Sequence, residues 1–316
     1  MIEDDRMNDT FVNLHLHSDA SVGDSVIKIP ELIPQLEEYG QEYVALTDHS
    51  STANWYSLQQ ACKDTNIKPL YGNEFYCKLS LEKPSNQTRY HLVCVAQNEE
   101  GARNIRAMQN IAVKHKYYKP LLPHPVLKHH TEGVFVTTAC ALGYVPQMLN
   151  AGRKDKAYNF LNSLLDWFGS DNVAIELQYH PDFKDENGHY IQNKINPMLI
   201  DMYDNTDVKW IINTFDSHCL LDKDRELRRR LQWKNWKKDY KDISETLRSN
   251  VLGNTELTYQ FAHESGIEDD DFIQECINNT HKIAEQCYFT MPKNDRVIPK
   301  FDKHRELKKI FLKKVV

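Results

Sequence analysis

The sequence predicts an α/β fold in which a parallel sheet, covered by helices, closes or nearly closes into a barrel. Apolar runs of strand length alternate with segments of helical periodicity, and this alternation is typical of a parallel sheet with covering helices. Side chains of metal-ligand type follow the carboxyl ends of most of these runs. A barrel gathers such positions at one mouth, whereas an open doubly wound sheet gathers only those near its switch point.

Seven apolar runs are predicted as strands, and six segments of helical period are predicted as helices. The first run, Phe11-Val12-Asn13-Leu14, alternates as a half-buried strand does, and the second, 43–47, is continuously apolar up to its last residue. The predicted strands are residues 11–17, 43–48, 69–77, 91–96, 134–139, 172–178 and 209–215. The predicted helices are roughly residues 29–39, 54–65, 99–115, 154–168, 188–204 and 222–232. Together they give regularly alternating β-α units.

Length and composition fit one large core with a small appendage. The chain has 316 residues, of which 41% are hydrophobic. Because no apolar run approaches about eighteen residues, a membrane span is not expected. The N-terminus lacks the basic and apolar regions of a signal peptide, so we expect a cytoplasmic protein. The 7 cysteines are odd in number and contain no Cys-x-x-Cys, which argues against a disulfide framework or a zinc ribbon.

Histidines and carboxylates near strand ends indicate a metal site. His15 and His17 lie at i and i+2 of the first predicted strand, so both rings point to the same face and can reach one cation. A lone His-x-His is more often incidental than a ligand pair. Here, however, further groups of ligand type follow or end the other predicted strands: Asp24, His49, Glu74, Cys140, Asp216 and His218.

The order and spacing of these residues resemble the polymerase and histidinol phosphatase (PHP) superfamily. The spacing is most similar to that of the N-terminal PHP domains of bacterial replicative DNA polymerase III α subunits, and the resemblance covers about residues 10–300. The matching motifs are His15-x-His17, Asp24, Thr47-Asp48-His49, Gly72-x-Glu74, His91-Leu92-Val93, Thr138-Ala139-Cys140 and Asp216-x-His218.

The resemblance implies a distorted seven-stranded β/α barrel of PHP type that holds two or three divalent metal ions. The implied ligands are His15, His17, Asp24, His49, Glu74, His91, Cys140, Asp216 and His218. Only the resemblance nominates His91, because this residue begins its predicted strand. Among these ligands we assign catalytic roles to Asp24, Glu74 and Asp216.

The ligand types suit zinc, manganese or iron, and the sequence does not choose among them. Oxygen ligands favour manganese and iron, whereas Cys140 favours zinc. The three carboxylates and a thiolate leave such a multinuclear site with a positive excess, so even this chain of net charge −6 can attract a phosphate there. The reaction implied by the resemblance is phosphoester hydrolysis assisted by two metal ions.

Three residues outside the ligand set are predicted to contact substrate: Glu176, His180 and Lys119. Glu176 and His180 flank the end of a predicted strand. The alternatives to substrate contact are that they hydrogen-bond to the metal ligands or that they lie on a solvated rim. Lys119 ends a basic and aromatic run typical of single-strand binders, although such a run also complements a helix C-terminus. The run from Arg228 to Trp236 has a similar composition, but a solvated helix face is the more common reason for it. For Asp48 we expect a structural hydrogen bond to a loop.

Three functions remain open at this point. The first is a metal-dependent phosphodiesterase, a 3′→5′ exonuclease that acts on single-stranded or frayed DNA ends in replication proofreading. The second is a structural or docking PHP module of a split or truncated replicative polymerase. The third is a small-molecule phosphatase of the histidinol-phosphate type. The sequence 276–300 resembles the polymerase lineage and argues against the third.

The domain prediction places a PHP barrel at residues 1–285 and a linker with a first helix leading toward a polymerase palm at 286–316. The chain ends where the palm of the family would begin, so polymerase activity is not expected. Leu307, Ile310 and Phe311 form an apolar stripe at helical spacing. This stripe predicts a C-terminal helix, 302–316, that docks on a polymerase body chain.

Overall fold

The computed structural model describes residues 11–80, 89–185, 187–236, 239–240 and 246–292, and the fold is α/β as predicted. The predicted docking helix at 302–316 lies outside the described residues. The strands are β1 (Tyr43–Leu46), β2 (Lys68–Lys78), β3 (Tyr90–Ala96), β4 (Leu122–Pro123), β5 (Val134–Thr137), β6 (Val173–Gln178) and β7 (Trp210–Thr214). The helices are α1 (Ile29–Glu38), α2 (Trp55–Cys62), α3 (Glu99–Lys114), α4 (His124–Leu127), α5 (Tyr144–Asn150), α6 (Lys154–Phe168), α7 (Ile191–Asp204), α8 (Arg225–Trp236), α9 (Thr255–Glu264) and α10 (Asp270–Glu285).

The seven strands form one curled sheet in the order β1-β2-β3-β5-β6-β7, with the short β4 paired to β2. Most neighbours are parallel, but β3 runs antiparallel to both β2 and β5. The prediction of an all-parallel sheet is therefore wrong at β3. The connection from β2 to β3 spans only residues 79–89, which is shorter than the crossover that parallel neighbours require.

The sheet is curled into a half-barrel and stays open, so the prediction of a sheet that closes or nearly closes into a barrel is confirmed only in part. The predicted first strand, 11–17, is not a regular strand: it bends at residues 14 and 15 and makes isolated parallel bridges at both edges of the sheet, from Asn13 to Val44 and from Leu16 to Ser217. The backbone nitrogen of Ala45 donates to Asn13 at 2.9 Å. This segment therefore lies in the gap between β1 and the end of β7. Its side chains reach the same edge of the sheet as the side chains at the ends of these two strands.

The two faces of the sheet bury separate apolar clusters. Alternate residues of β6 show the division: Val173, Ile175 and Leu177 pack toward the helices, whereas Ala174 joins the inner cluster. Helix α10, which the sequence did not predict, contributes to that inner cluster. Its Thr280 hydroxyl accepts a hydrogen bond from the Val12 backbone nitrogen at 3.1 Å, so this helix fixes the start of the 11–17 segment.

Helix α3 shows how local sequence and close packing combine. Asn98 caps its start by accepting a hydrogen bond from Gly101, and two glutamates occupy its first turn. A Cβ atom on Gly101 would lie 1.7 Å from the carbonyl oxygen of Gly133, so only glycine allows this approach. Among the described residues, no helix is both long and apolar enough to cross a membrane.

Candidate metal centre

All nine predicted ligands converge at one edge of the sheet. His15 and His17 come from the 11–17 segment, and their ring centroids are 5.1 Å apart, so both rings reach one site as predicted. The others belong to six further places: the loop before α1 (Asp24), the loop after β1 (His49), β2 (Glu74), the start of β3 (His91), the loop after β5 (Cys140) and the loop after β7 (Asp216, His218). The antiparallel direction of β3 explains why His91 begins its strand, because the start of β3 lies beside the ends of its parallel neighbours.

The side chains form three overlapping groups whose ligand atoms lie within 4.8 Å of one another. Each group shares at least one residue with another group, and the shared residues are His17, His49 and Glu74. The groups are His15–His17–Glu74–Asp216, His17–His49–His218 and His49–Glu74–His91. Sharing of this kind favours several neighbouring ions over one tetrahedral site.

Glu74 lies at the centre of the cluster, and its two carboxylate oxygens face different rings. Oε1 is 2.8 Å from His91 Nδ1 and 3.3 Å from His15 Nε2. Oε2 is 2.6 Å from His49 Nδ1 and 3.3 Å from His17 Nε2. The carboxylate is completely buried, so it can bridge the groups without contact with bulk solvent.

Buried atoms without well-formed hydrogen bonds indicate that a cation fits the cluster. Buried polar atoms in folded proteins almost always have a hydrogen-bond partner. Six buried atoms of the cluster make no hydrogen bond of good geometry, although each lies 2.6–3.6 Å from a ring nitrogen or carboxylate oxygen of another member: His15 Nε2, His17 Nε2, His49 Nδ1, Glu74 Oε2, Asp216 Oδ1 and His218 Nε2. All six belong to the three groups. Imidazole nitrogens and carboxylate oxygens aimed at a common point match the donor set of a divalent transition metal.

Asp24 and Cys140 stand beside the three groups. Asp24 Oδ2 is 3.3 Å from His49 Nε2 and 3.6 Å from His218 Nε2. The Cys140 sulfur is 3.5 Å from His91 Nδ1. Burial, with a smaller contribution from the Glu74 carboxylate, raises the pKa of the Cys140 thiol, so ligation by this residue requires the loss of a firmly held proton.

The histidines and carboxylates change one another's proton affinity. Burial, and then the rings of His49 and His218, lower the pKa of His17 to about 3. Burial alone would lower the pKa of His49, but the carboxylates of Glu74 and Asp24 outweigh it and raise this pKa to about 9. Despite burial, the rings of His91, His49 and His15 hold the carboxyl pKa of Glu74 below its usual range, and His218, His49 and Arg228 do the same for the pKa of Asp24. Protons on the rings thus occupy positions that a cation would take.

Backbone strain is concentrated at the cluster. Among the described residues, four that are not glycine have positive φ angles, and three of these adjoin or are predicted ligands. Asp216 has φ 48°, Ala139 before Cys140 has φ 59°, and Ser50 after His49 has φ 42°. Non-glycine residues in this region are held there by surrounding structure and are concentrated at functional sites.

Glu176 lies behind His15. Its Oε1 atom is 2.7 Å from His15 Nδ1 and also accepts the Thr214 hydroxyl at 2.6 Å. The other oxygen accepts the hydroxyl of Thr137. Burial alone would lower the pKa of His15, but Glu176, together with Asp216 and Glu74, raises it well above its usual value.

His180 is also buried, with Nδ1 2.5 Å from the Ser249 hydroxyl. A solvated rim is therefore wrong for both Glu176 and His180, and substrate contact by either stays a prediction. Burial lowers the pKa of His180 to about 4. The prediction for Asp48 is confirmed, since its carboxylate accepts hydrogen bonds from the backbone and hydroxyl of Ser18 and from the Ser21 hydroxyl.

A cavity of about 580 Å³ opens above the cluster, and His49, His91 and Asp24 contribute to its wall. Lys119 and Arg89 line it as well. Tyr76, which the sequence reasoning missed, stacks on the His49 ring at 5.1 Å, and Lys119 Nζ lies 5.1 Å from the centre of the Tyr76 ring. The mouth therefore combines basic and aromatic side chains next to the candidate ligands.

Helix α8 has a buried side as well as the solvated face that its composition suggested. Arg228 is 8% exposed, and its guanidinium forms an ion pair with Asp24 at 2.7 Å. Gln232, one turn later, donates to the same carboxylate at 3.0 Å. No local sequence signal distinguishes this face, because polar side chains at i, i+4 spacing also occur on the exposed side of the same helix, as in the pair Glu226–Arg230.

Comparison with known proteins gives a family match and a set of relatives. A family model described as the PHP domain matches residues 13–180. The DNA polymerase III subunit alpha of Treponema pallidum is 28% identical over 296 residues, which are 92% of this chain and 24% of that protein. The corresponding subunit of Aquifex aeolicus is 32% identical over 230 residues, 69% of this chain and 19% of that protein. The chain thus spans about a quarter or less of the length of these relatives.

Among solved structures, one similar chain is a candidate metal-dependent phosphoesterase from Bifidobacterium adolescentis. It is 13% identical, with a TM-score of 0.39, and the match covers 66% of this chain and 87% of that one.

Proposed function

The chain belongs to the PHP domain family, and from this membership and its nine converging side chains we propose that it is a metal-dependent phosphodiesterase. The nine residues would hold two or three divalent ions, and Glu74 lies at the centre of the three groups, with its two oxygens directed at different rings. When bound, such ions supply Lewis acidity, lower the pKa of water and offset the charge that develops on a phosphate. The observation that carries the proposal is the convergence, in three overlapping groups, of six buried ligand atoms that make no hydrogen bond of good geometry.

The protein side chains keep the ligand atoms oriented and largely out of bulk water. Glu176 holds His15 Nδ1, so the Nε2 atom of the ring faces Glu74 and Asp216. Asp48 holds the loop that carries Ser18 and Ser21, which lies between the ligands His17 and Asp24. We assign catalytic roles to Asp24, Glu74 and Asp216, whose carboxylates lie within the cluster, and supporting roles to the buried Glu176 and His180.

The mouth favours a phosphodiester of a nucleic acid strand as the substrate. Lys119 and Arg89 offer positive charge, and Tyr76 offers a ring at the entrance, which is the combination that binds single strands through phosphates and stacking. We assign substrate contact to Lys119. An unpaired terminal nucleotide enters such a mouth without the cost of unstacking that a paired one incurs.

The relatives are named as DNA polymerase III alpha subunits, and this name supports DNA as the substrate and a replicative polymerase as the partner. We therefore propose that the activity is a 3′→5′ exonuclease that serves proofreading. The docking of a polymerase body on residues 302–316 belongs to the same proposal.

The test is gel resolution of 5′-labelled and 3′-labelled oligonucleotides with manganese, zinc or iron added separately. The 5′-labelled strand should shorten in a ladder from its 3′ end, and a mismatched terminus should be cut faster than a matched one. Asp24→Asn should lose more turnover than DNA affinity, because contacts to the strand remain. The exposed Asp171→Asn variant is the matched control and should behave as the wild type.

Two results would overturn the exonuclease proposal. Release of phosphate from histidinol phosphate without release of nucleotides would identify a small-molecule phosphatase. Absence of product in both assays, with full metal occupancy by elemental analysis, would identify a structural module whose ions stabilise the fold.

A further inference from the structure

The carboxylate of Asp24 faces two different environments. Oδ2 points to the rings of His49 and His218, at 3.3 and 3.6 Å. Oδ1 points away from the cluster and accepts hydrogen bonds from Arg228 at 2.7 Å and from Gln232 at 3.0 Å. One oxygen is therefore engaged by α8, and only the other is directed at the candidate ligands.

Helix α8 packs closely against the whole loop that carries Asp24. Arg228, Gln232 and Asn235 lie four and three residues apart, so they share one face of the helix. A Cβ atom on Gly23 would lie 2.6 Å from Asn235 Nδ2, and Gly23 has φ +82°, which favours glycine. Arg228 Nε also donates to the backbone oxygen of Asp24 at 2.9 Å. Helix α8 thus fixes both the backbone and the side chain of this ligand.

The same guanidinium connects Asp24 to the loop of two other ligands. Arg228 Nη1 donates to Asn250 Oδ1 at 3.3 Å. The Asn250 amide donates to the Asp216 backbone oxygen at 3.1 Å, and the Asn250 backbone oxygen accepts from His218 at 2.9 Å. All three guanidinium nitrogens are used, and they link parts of the chain that are far apart in sequence.

We propose that Arg228 is a positioning residue that restricts Asp24 to ligation through Oδ2 and thereby sets the affinity of the outermost metal ion. Asp24 is the most exposed of the candidate carboxylate ligands, with 27% of its side chain accessible against 17% for Asp216 and none for Glu74. The ion that it shares with His49 and His218 therefore exchanges first. This inference rests on the proposed metal centre and not on the identity of the substrate.

Arginine is needed because one planar group must serve Asp24 and Asn250 at once. Lysine keeps the positive charge but lacks the fixed fork of donors. Arg228→Lys should therefore retain the charge and lose the orientation of the Asp24 carboxylate. Groups that orient a metal ligand typically contribute 10–100-fold in metal affinity. We expect a loss of this size for one ion only.

The experiment is metal titration of the full chain against a chromogenic chelator, with zinc and manganese in turn, for Arg228→Met, Arg228→Lys and Gln232→Ala. The matched control is Arg230→Met on the same helix, where the side chain is 68% exposed and pairs with Glu226. Arg228→Met should weaken the most readily lost ion by 10–100-fold and leave the others unchanged. Arg228→Lys should recover only part of the loss, and Gln232→Ala should have a smaller effect. Absorption of the cobalt-loaded protein should change for this ion alone.

Three outcomes would overturn the inference. Binding of every ion by Arg228→Met with the affinity of the control variant would show that Asp24 needs no positioning. An equal loss of affinity for all ions, together with a melting temperature of the metal-free variant below that of the control, would make Arg228 a structural residue only. A wild-type chain that binds no metal would remove the premise, whereas absence of nuclease activity with the expected titration would leave the inference intact and overturn only the substrate.

Discussion

Replacement of Glu176 by glutamine tests whether the residue behind His15 controls the metal centre. Glutamine has nearly the same shape, but one of its two acceptor oxygens becomes an NH₂ donor. Glu176 accepts hydrogen bonds at both oxygens, from His15, Thr214 and Gln178 at one and from Thr137 at the other. The new NH₂ group of Glu176→Gln therefore has two possible orientations. It either faces the N–H donor at His15 Nδ1, or it faces Thr137, whose hydroxyl must then accept a hydrogen bond instead of donating one.

The expected magnitude follows from these two orientations. If the amide nitrogen faces His15, the ring proton moves to Nε2, which lies 3.3 Å from Glu74 and from Asp216, and this atom can no longer bind a cation. If the amide nitrogen faces Thr137, the ring keeps its tautomer but loses a charge-assisted bond worth about 1.5–3 kcal/mol and gains a neutral one worth about 0.5–1.5 kcal/mol. The second orientation therefore costs about 1–1.5 kcal/mol, which is about 5–13-fold in metal affinity, and the first costs more, within the 10–100-fold typical of groups that orient a metal ligand.

The assay is competition between the protein and a fluorescent chelator at constant pH, with elemental analysis of the recovered protein. The matched control is Glu132→Gln, which removes one exposed negative charge outside the site. Thr214→Val should have an intermediate effect, because it removes one donor to Glu176 and leaves the bond to His15. Wild-type metal affinity in Glu176→Gln would refute the reasoning, since it would show that His15 needs no partner behind it.

Further predictions concern protons, salt and packing. Metal binding at pH 7 should release protons, because His49 with a pKa of about 9 is protonated there in the metal-free protein, and its share of the release should vanish above pH 9. Calorimetry in two buffers of different ionisation enthalpy measures this release, and equal heats in both would contradict it. Lys119→Ala should reduce the salt slope of oligonucleotide binding by about 1, measured by fluorescence anisotropy, whereas Lys116→Ala, which does not line the cavity, should not. Gly101→Ala should lower the free energy of unfolding by about 2 kcal/mol or more in urea, because its Cβ would lie 1.7 Å from the Gly133 oxygen; an unchanged midpoint would show that the two backbones can separate.

The sequence by itself was enough to identify the α/β class and most of the candidate ligands. The two-residue spacing of His15 and His17 predicted that both rings reach one site, although the folded segment that carries them is bent and not a regular strand, and Asp216 and His218 follow an apolar run with the same spacing. Such patterns are local, so they can be read without knowledge of the partner strands. His91 required the family resemblance, because its position at the start of a strand makes sense only when β3 is known to be antiparallel.

Only the tertiary structure decided how the strands pair and what holds each ligand in place. Sheet order, the reversal of β3 and the open edge depend on contacts between segments, and hydrophobic periodicity carries no information about partners. The same is true of the bond from Glu176 to His15, across 161 residues of sequence, and of the ion pair from Arg228 to Asp24, across 204. A charged side chain on an amphipathic helix has the same local pattern whether it faces water or a buried carboxylate. Its role at the candidate metal centre is decided by the packing of α8 against a distant loop, which becomes visible only in the folded chain.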